Sequence, residues 1–220
     1  MPGLTPLLLA DGRFPAGGYA HSGGLEAACD DGLTGDDVGA YIRARLYAVA
    51  AAECALAVAA SRETEVEVLL LLDEEAAARV PSPALRAVSQ RLGSQLLRTA
   101  SVAWPEAAVP RAYRAASTAT PRPVAFGVVG RAAGLDELEL ARGFLYDDAA
   151  TVAAAAVKLL PVDVLSTTRL LVELEEDVEQ LALAAVSVDV PPRELPSAFA
   201  PLLELRSLAH GRKEGRLFAS

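Results

Sequence analysis

Metal-binding side chains are scarce in this 220-residue chain, which holds only two cysteines and two histidines. Cys29 and Cys54 sit in alanine-rich surroundings without a CxxC, and His21 and His210 make no HExxH spacing. A closed metal cage built from this chain alone is therefore excluded, and the cysteines read as small buried hydrophobes. Positive charge is also short: 20 Lys plus Arg face 29 Asp plus Glu, for a formal charge of −9. That balance excludes a general grip on nucleic acid, which needs cations to replace phosphate counterions. The apolar stretch from Ala149 to Leu160 is short as well, since it is flanked or broken by Asp147, Asp148 and Lys158 and falls short of the roughly 20 apolar residues of a bilayer span. The opening MPGLTPLLLADGRF has no basic leader or cleavage site, so the expectation is a cytoplasmic chain with no membrane partner. Sustained period-two alternation, fixed-period repeats and long low-complexity linkers are absent too, which leaves residues 1–220 as one all-α domain.

What is present is helical periodicity. Thr34 with Asp37 predicts a capping box, followed by a stripe of Val38, Ile42, Leu46, Val49 and Leu56 with Glu53 at its rim. Ser82 and Pro83 predict the start of a helix whose Leu85, Val88, Leu92 and Leu96 face the core. Prolines 105, 110, 121 and 123 divide the next stretch into a short helix around Ala112 and a Ser/Thr-rich surface loop. Val124 to Ala133 is apolar on nearly all sides and belongs at the centre of a bundle, where Gly127 and Gly130 allow close approach and Gly134 ends the helix. Asp136 with Glu139 opens a further helix that Pro161 stops. A single helix then places Leu170, Leu171, Leu174, Val178 and Leu181 inward and leaves Glu173, Glu176, Asp177 and Glu179 on a solvated acidic face. A last helix runs from about Ser197 to Ala209, ahead of a tail over 206–220 in which Arg206, Arg212, Lys213 and Arg216 outnumber Glu214.

Two segments stand apart from this pattern. Residues 11–26, DGRFPAGGYAHSGGLE, crowd glycines and a proline just before a helix. A phosphate cradle needs the lysine and hydroxyl of GxxxxGK[ST], and no lysine occurs here. The segment instead reads as a turn in which Gly17 and Gly18 take backbone angles closed to other residues and Ser22 caps the helix of Leu25 and Glu26. The tail, with Leu217 and Phe218 at an apolar tip, is the second. Read from the residues alone, the chain offers no nucleophile paired with a base and an orienting group.

The glycine-rich segment resembles the opening of the UreF family of urease accessory proteins at Asp11, Pro15, Gly17, Gly18, Tyr19, His21, Ser22, Gly24, Leu25 and Glu26. Further similarity lies in Pro123 to Gly127, in Ala156 to Pro161, and in the ending from Ser207 to His210 with Arg216 to Ser220. Departures are Pro121 where relatives carry histidine, Ala219 where they carry a long residue, and Val162, Asp163 and Val164 where they carry Gly-Gln. The resemblance implies an all-α scaffold without catalytic residues or a cofactor of its own. Such a protein binds UreD (also called UreH) and recruits the GTPase UreG to apo-urease for nickel insertion. Nickel is then handled by the complex and GTP is bound by the partner, whose hydrolysis the scaffold modulates. The resemblance also implies a homodimer within that complex. It assigns partner-binding roles to Tyr19, His21, Ser22, Glu26, Lys158, His210, Arg212, Arg216, Leu217 and Phe218, with Glu26 and Lys158 at exposed positions. The competing reading is a direct nickel carrier, with His21 touching metal in transit.

Overall fold

Helix starts in this sequence are written in side chains that satisfy the first free backbone N–H groups, and the computed structural model forms them. It describes Thr5, Leu8, Leu9 and residues 14–197, 200–210, 217 and 218. Both capping boxes are present, Thr34 with Asp37 and Asp136 with Glu139, and Ser82 accepts the Leu85 N–H ahead of a helix that begins at Pro83. Among the described residues the chain makes ten α-helices and no strand. In order these are α1 (Leu25–Asp30), α2 (Val38–Arg45 continuing through a π turn at Leu46–Ala50 into Ala51–Arg62), α3 (Val66–Ala78), α4 (Pro83–Ala103) and α5 (Ala108–Ala116). They continue as α6 (Arg122–Ala132), α7 (Glu137–Leu159), α8 (Val164–Glu173), α9 (Glu175–Ser187) and α10 (Pro201–His210).

The centre is α6, buried from Pro123 through Gly130. It packs between α2 on one side and α4 on the other, and α7 and α9 close the remaining side of α2. Gly134, at φ +82°, terminates α6 with a Leu135 N–H donating to the Gly130 carbonyl and a Gly134 N–H donating to Arg131. That pairing is the left-handed stop that glycine permits. One helical stretch, Gly35–Arg62, has the length and apolarity of a bilayer span, but 56% of its most apolar window is buried inside the fold. More than half of that window is spent on packing against the rest of the fold.

The structure departs from the sequence reading in several places, each with a physical cause. α3 was not expected; its Leu69, Leu72 and Ala76 bury a stripe against the core. The predicted helix over 170–181 is two, because Leu174 relaxes to φ −89°, ψ 0° and interrupts the regular helix while staying buried. Its acidic face is not simply solvated: Asp177 pairs with Arg43 at 2.8 Å and Glu179 takes a two-pronged grip from Arg142 at 2.6 Å, so these carboxylates form a seam to α2 and α7. The Ser/Thr loop is not a surface loop at its end, where Thr120 and Pro121 are buried. Thr120 sits at φ +42° with its hydroxyl 2.6 Å from Ser94, and its carbonyl lies where any side chain at Gly93 would stand. On α4 only Leu96 of the predicted stripe is buried; Leu85, Val88 and Leu92 are half-buried and border a cavity. The last helix begins at Pro201 rather than near Ser197.

Candidate functional site

Three positive-φ glycines shape the N-terminal corner. Gly17 (φ +89°) leads into a single 3-10 turn over Gly18–Ala20, and Gly23 (φ +61°) and Gly24 (φ +85°) turn the chain into α1. Gly18 is not among them, so its freedom of backbone angle is not what the turn uses. Gly23 and Gly24 carry a second constraint. A Cβ on Gly23 would stand 2.8 Å from Val152 of α7, and one on Gly24 would stand 2.4 Å from Leu203 of α10. The positive φ demands glycine at both positions, and the Val152 methyl adds to that demand at Gly23. Ser22 is fully buried, and its hydroxyl accepts the Glu26 N–H at 3.3 Å, so it caps α1 across the Gly23–Gly24 turn.

The sequence-predicted site residues fall into two groups here. Tyr19 projects outward, 73% exposed. His21 is buried, and burial first, then the charges of Arg91 and Arg122, lower its pKa from 6.5 to about 4. The imidazole is neutral at pH 7. Because the folded pKa lies below the unfolded value, this residue favours the folded state above pH 6.5, and that contribution drains away as pH falls from 6.5 through 4. The His21→Gln variant should therefore show a flatter loss of thermal stability over that pH range than the parent chain, as measured by melting curves at stepped pH.

Glu26 does not occupy an exposed position. It is 5% exposed, because the C-terminal residues fold back over it. One carboxylate oxygen accepts the Leu217 N–H at 2.8 Å and the other the Phe218 N–H at 2.9 Å. His210 Nε2 lies 3.6 Å from the same carboxylate and 3.3 Å from the Phe218 carbonyl. Phe218 is buried, the Lys158 ammonium stands 5.3 Å over its ring, and Leu217 points outward at 63% exposure. Thus His21, Ser22, Glu26, Lys158, His210, Leu217 and Phe218 share one corner of the molecule, bordered by Tyr19. Arg212 and Arg216 lie outside the described residues.

Behind this corner is a charged cluster that the sequence reading did not assemble. Arg45 grips Asp148 with two hydrogen bonds of 2.8 Å and donates a third to the Gly23 carbonyl at 3.3 Å, which also accepts the Tyr41 hydroxyl at 2.9 Å. Arg122 pairs with Asp147 at 2.8 Å, reaches Glu53 at 3.6 Å, and lies 4.2 Å over the Phe144 ring. Burial opposes the charge on Asp148, but attraction and hydrogen bonds from Arg45, then the charge of Arg122, more than offset it and hold the carboxyl below its usual range. Burial raises the pKa of Glu53 in spite of both arginines. Asp147 and Asp148, which interrupt an otherwise apolar run, were the available signal, since a charge on an inward helix face requires a partner. A second buried group joins α3 to α5: Tyr113 and Ser117 both donate to Asp73. Burial pushes the Cys54 thiol up to about 12, so it behaves as packing.

Arg45, Glu53, Asp73, Arg122, Asp147 and Asp148 border a cavity of about 440 Å³ whose other walls include Phe14, Val49, Leu92, Phe126 and Phe218. Among the described residues, no three His, Cys, Asp or Glu side chains gather in metal-binding geometry.

The architecture is thus that of an all-α protein whose glycine-shaped N-terminal corner and C-terminal arm meet on one face. The UreF family model matches residues 34–175. The urease accessory protein UreF of Mycobacterium sp. (strain JLS) is 36% identical over 225 residues, covering all of both chains. The corresponding proteins of Mycolicibacterium vanbaalenii and Mycobacterium marinum are 34% and 33% identical, with 98% and 97% of both chains covered. The chain belongs to the UreF family, and membership carries a role in urease maturation.

Proposed function

We infer that this protein is a docking scaffold for urease maturation: it binds UreD (UreH) and, with it, recruits the GTPase UreG to apo-urease so that nickel is inserted. The observation that carries this reading is the convergence of the glycine-rich segment with the C-terminal arm, in which Tyr19 and Leu217 face outward while Glu26 and Phe218 tie the two segments together. The buried ionisable groups support it, because Arg45, Asp148, Arg122, Asp147, Asp73 and Tyr113 are engaged in pairs that join helices rather than aligned as nucleophile, base and orienting group. The chain contributes surface, and GTP and nickel are handled by its partners in a complex that holds two copies of it. Modulation of UreG hydrolysis follows from the same contact.

Mixing the full-length chain with UreD-like and UreG-like partners should yield one complex on size-exclusion chromatography. Replacing both Tyr19 and Leu217 with serine should weaken its assembly at least tenfold, which is the ordinary weight of exposed anchors lost from an interface. Failure of the parent chain to bind either partner would remove the scaffold reading. Stoichiometric, tight nickel uptake by the isolated chain in calorimetry would replace it with a carrier.

A further inference from the structure

Within a chain of net charge −9, residues 81–121 have the opposite balance, with five arginines and one acid, Glu106. Arg86 is engaged at the start of α4, where it donates to the Val80 and Pro81 carbonyls. The other four, Arg91, Arg98, Arg111 and Arg114, are exposed, and none pairs with a carboxylate among the described residues. The fold gathers them. Arg91 and Arg98 stand seven residues apart on α4, two turns along one face and about 10 Å. Arg111 and Arg114 of α5 lean back onto the end of α4, donating to the Pro105 carbonyl at 2.9 Å and to the Ser101 hydroxyl at 3.4 Å. Val102, one turn beyond Arg98 and 81% exposed, shares that face. The strip begins at the glycine-rich corner: Gln95 and Thr99 both donate to the Pro15 carbonyl, at 3.1 and 2.8 Å, and the charge of Arg91 reaches His21.

We propose that the outward face of α4 and α5 is a docking strip for an acidic protein surface, with Arg98 and Arg114 as its central contacts. Solubility does not require these cations, since the net charge already supplies repulsion between molecules. Their guanidinium groups match carboxylates in shape, two N–H groups to two oxygens. A nucleic acid or a lipid sheet spreads its negative charge over a wide area and is repelled by the acids elsewhere on this chain. A protein surface with a few carboxylates meets the strip alone, because fields between exposed charges are screened within about 8 Å at physiological salt. Val102 supplies the apolar centre that such a contact contains. Charges of this kind steer encounter and make it salt-dependent. The chemistry of the strip stands by itself; its use in urease maturation rests on the scaffold role proposed above.

Fluorescence anisotropy with a labelled, glutamate-rich helical peptide tests the strip on the full chain without any partner. Binding at about 20 mM salt should weaken at least tenfold at about 200 mM. Arg98→Glu with Arg114→Glu should abolish it, and Arg98→Lys with Arg114→Lys should retain part of it. Arg169→Glu with Arg193→Glu makes the same change of net charge at exposed positions on other elements and should bind as the parent does. With UreD-like and UreG-like partners, the Arg98 and Arg114 reversal should slow association with at least one of them tenfold or more, and change dissociation much less, in surface plasmon resonance. No peptide binding by the parent at low salt, equal binding by the two reversed variants, or tighter binding of a single-stranded oligonucleotide or an anionic vesicle overturns the strip. So does a parent that captures both partners at rates the Arg98 and Arg114 reversal leaves unchanged. A parent that binds the peptide through the strip but captures neither partner keeps the strip and removes the scaffold reading instead.

Discussion

Replacing Asp148 with alanine should destabilise the folded chain by about 3–5 kcal/mol, the usual cost of breaking a buried ion pair from one side. For a domain of this size that corresponds to a fall in Tm of roughly 6–20 °C. The reason is asymmetric. Asp148 is 5% exposed and neutralises Arg45 through two 2.8 Å hydrogen bonds, with Arg122 a further 3.9 Å away. Without it Arg45 keeps, among the described residues, one hydrogen bond to the Gly23 carbonyl at 3.3 Å and the weaker attraction of the Glu53 charge. The double variant Arg45→Met, Asp148→Leu removes both charges and should recover most of the loss, because apolar replacement of a whole buried pair is close to neutral. The pH dependence has a definite sign. The carboxyl of Asp148 is held below its usual value of 3.8, so its contribution is complete above that pH and is lost as acid protonates it in the folded state. Urea melts at pH 7 of the parent, both single variants and the double variant give the coupling directly. A single variant at Asp148 that melts within 1 °C of the parent, about 0.3 kcal/mol, would show that water or relaxation serves Arg45 as well as the carboxylate does.

The same residues explain why the fold was legible and the corner was not. Thr34 with Asp37, Ser82 with Pro83, and Asp136 with Glu139 act within one turn of chain, so their meaning survives without tertiary context, and all three open helices where the sequence places them. The all-apolar run at Val124 likewise has one comfortable location, the centre. Glu26 is the opposite case. Its partners are 191 and 192 residues away, and nothing in the local pattern LEAACD separates a solvated first-turn carboxylate from one that receives a distant backbone. Arg45 and Asp148 meet across 103 residues, and the π turn at Leu46–Ala50 alters the helical phase between Arg45 and Glu53. A stripe drawn at 3.6 residues per turn therefore holds Glu53 at its rim but does not show that Arg45 turns inward beside it. The break at Leu174 is hidden for a similar reason, since both halves are amphipathic and the buried leucine serves either one.

Adding one methyl group at Gly127 should cost about 2–3 kcal/mol, whereas the same addition at Gly143 should stabilise the chain by up to ~1 kcal/mol. The intrinsic term is shared, because alanine favours a helix interior over glycine by roughly 1 kcal/mol wherever it is unobstructed. Packing decides the sign. A Cβ on Gly127 would stand 2.1 Å from the Ala57 carbonyl oxygen and 2.8 Å from the Ala60 methyl, so two backbones at the centre of the bundle must separate. Neither neighbour is the movable end of a long side chain. On Gly143 the nearest atom is Phe126 Cζ at 4.0 Å, an ordinary van der Waals distance. Separating α2 from α6 also strains what α2 carries further along, since Arg45, Glu53 and Arg122 tie these two helices to α7 behind the glycine-rich corner. Gly127→Ala should consequently lower partner capture as well as Tm, with Gly143→Ala leaving capture unchanged. Equal stability shifts of the same sign in the two variants, read by calorimetry, would mean that the α2–α6 contact yields without cost and that helix propensity alone governs both sites.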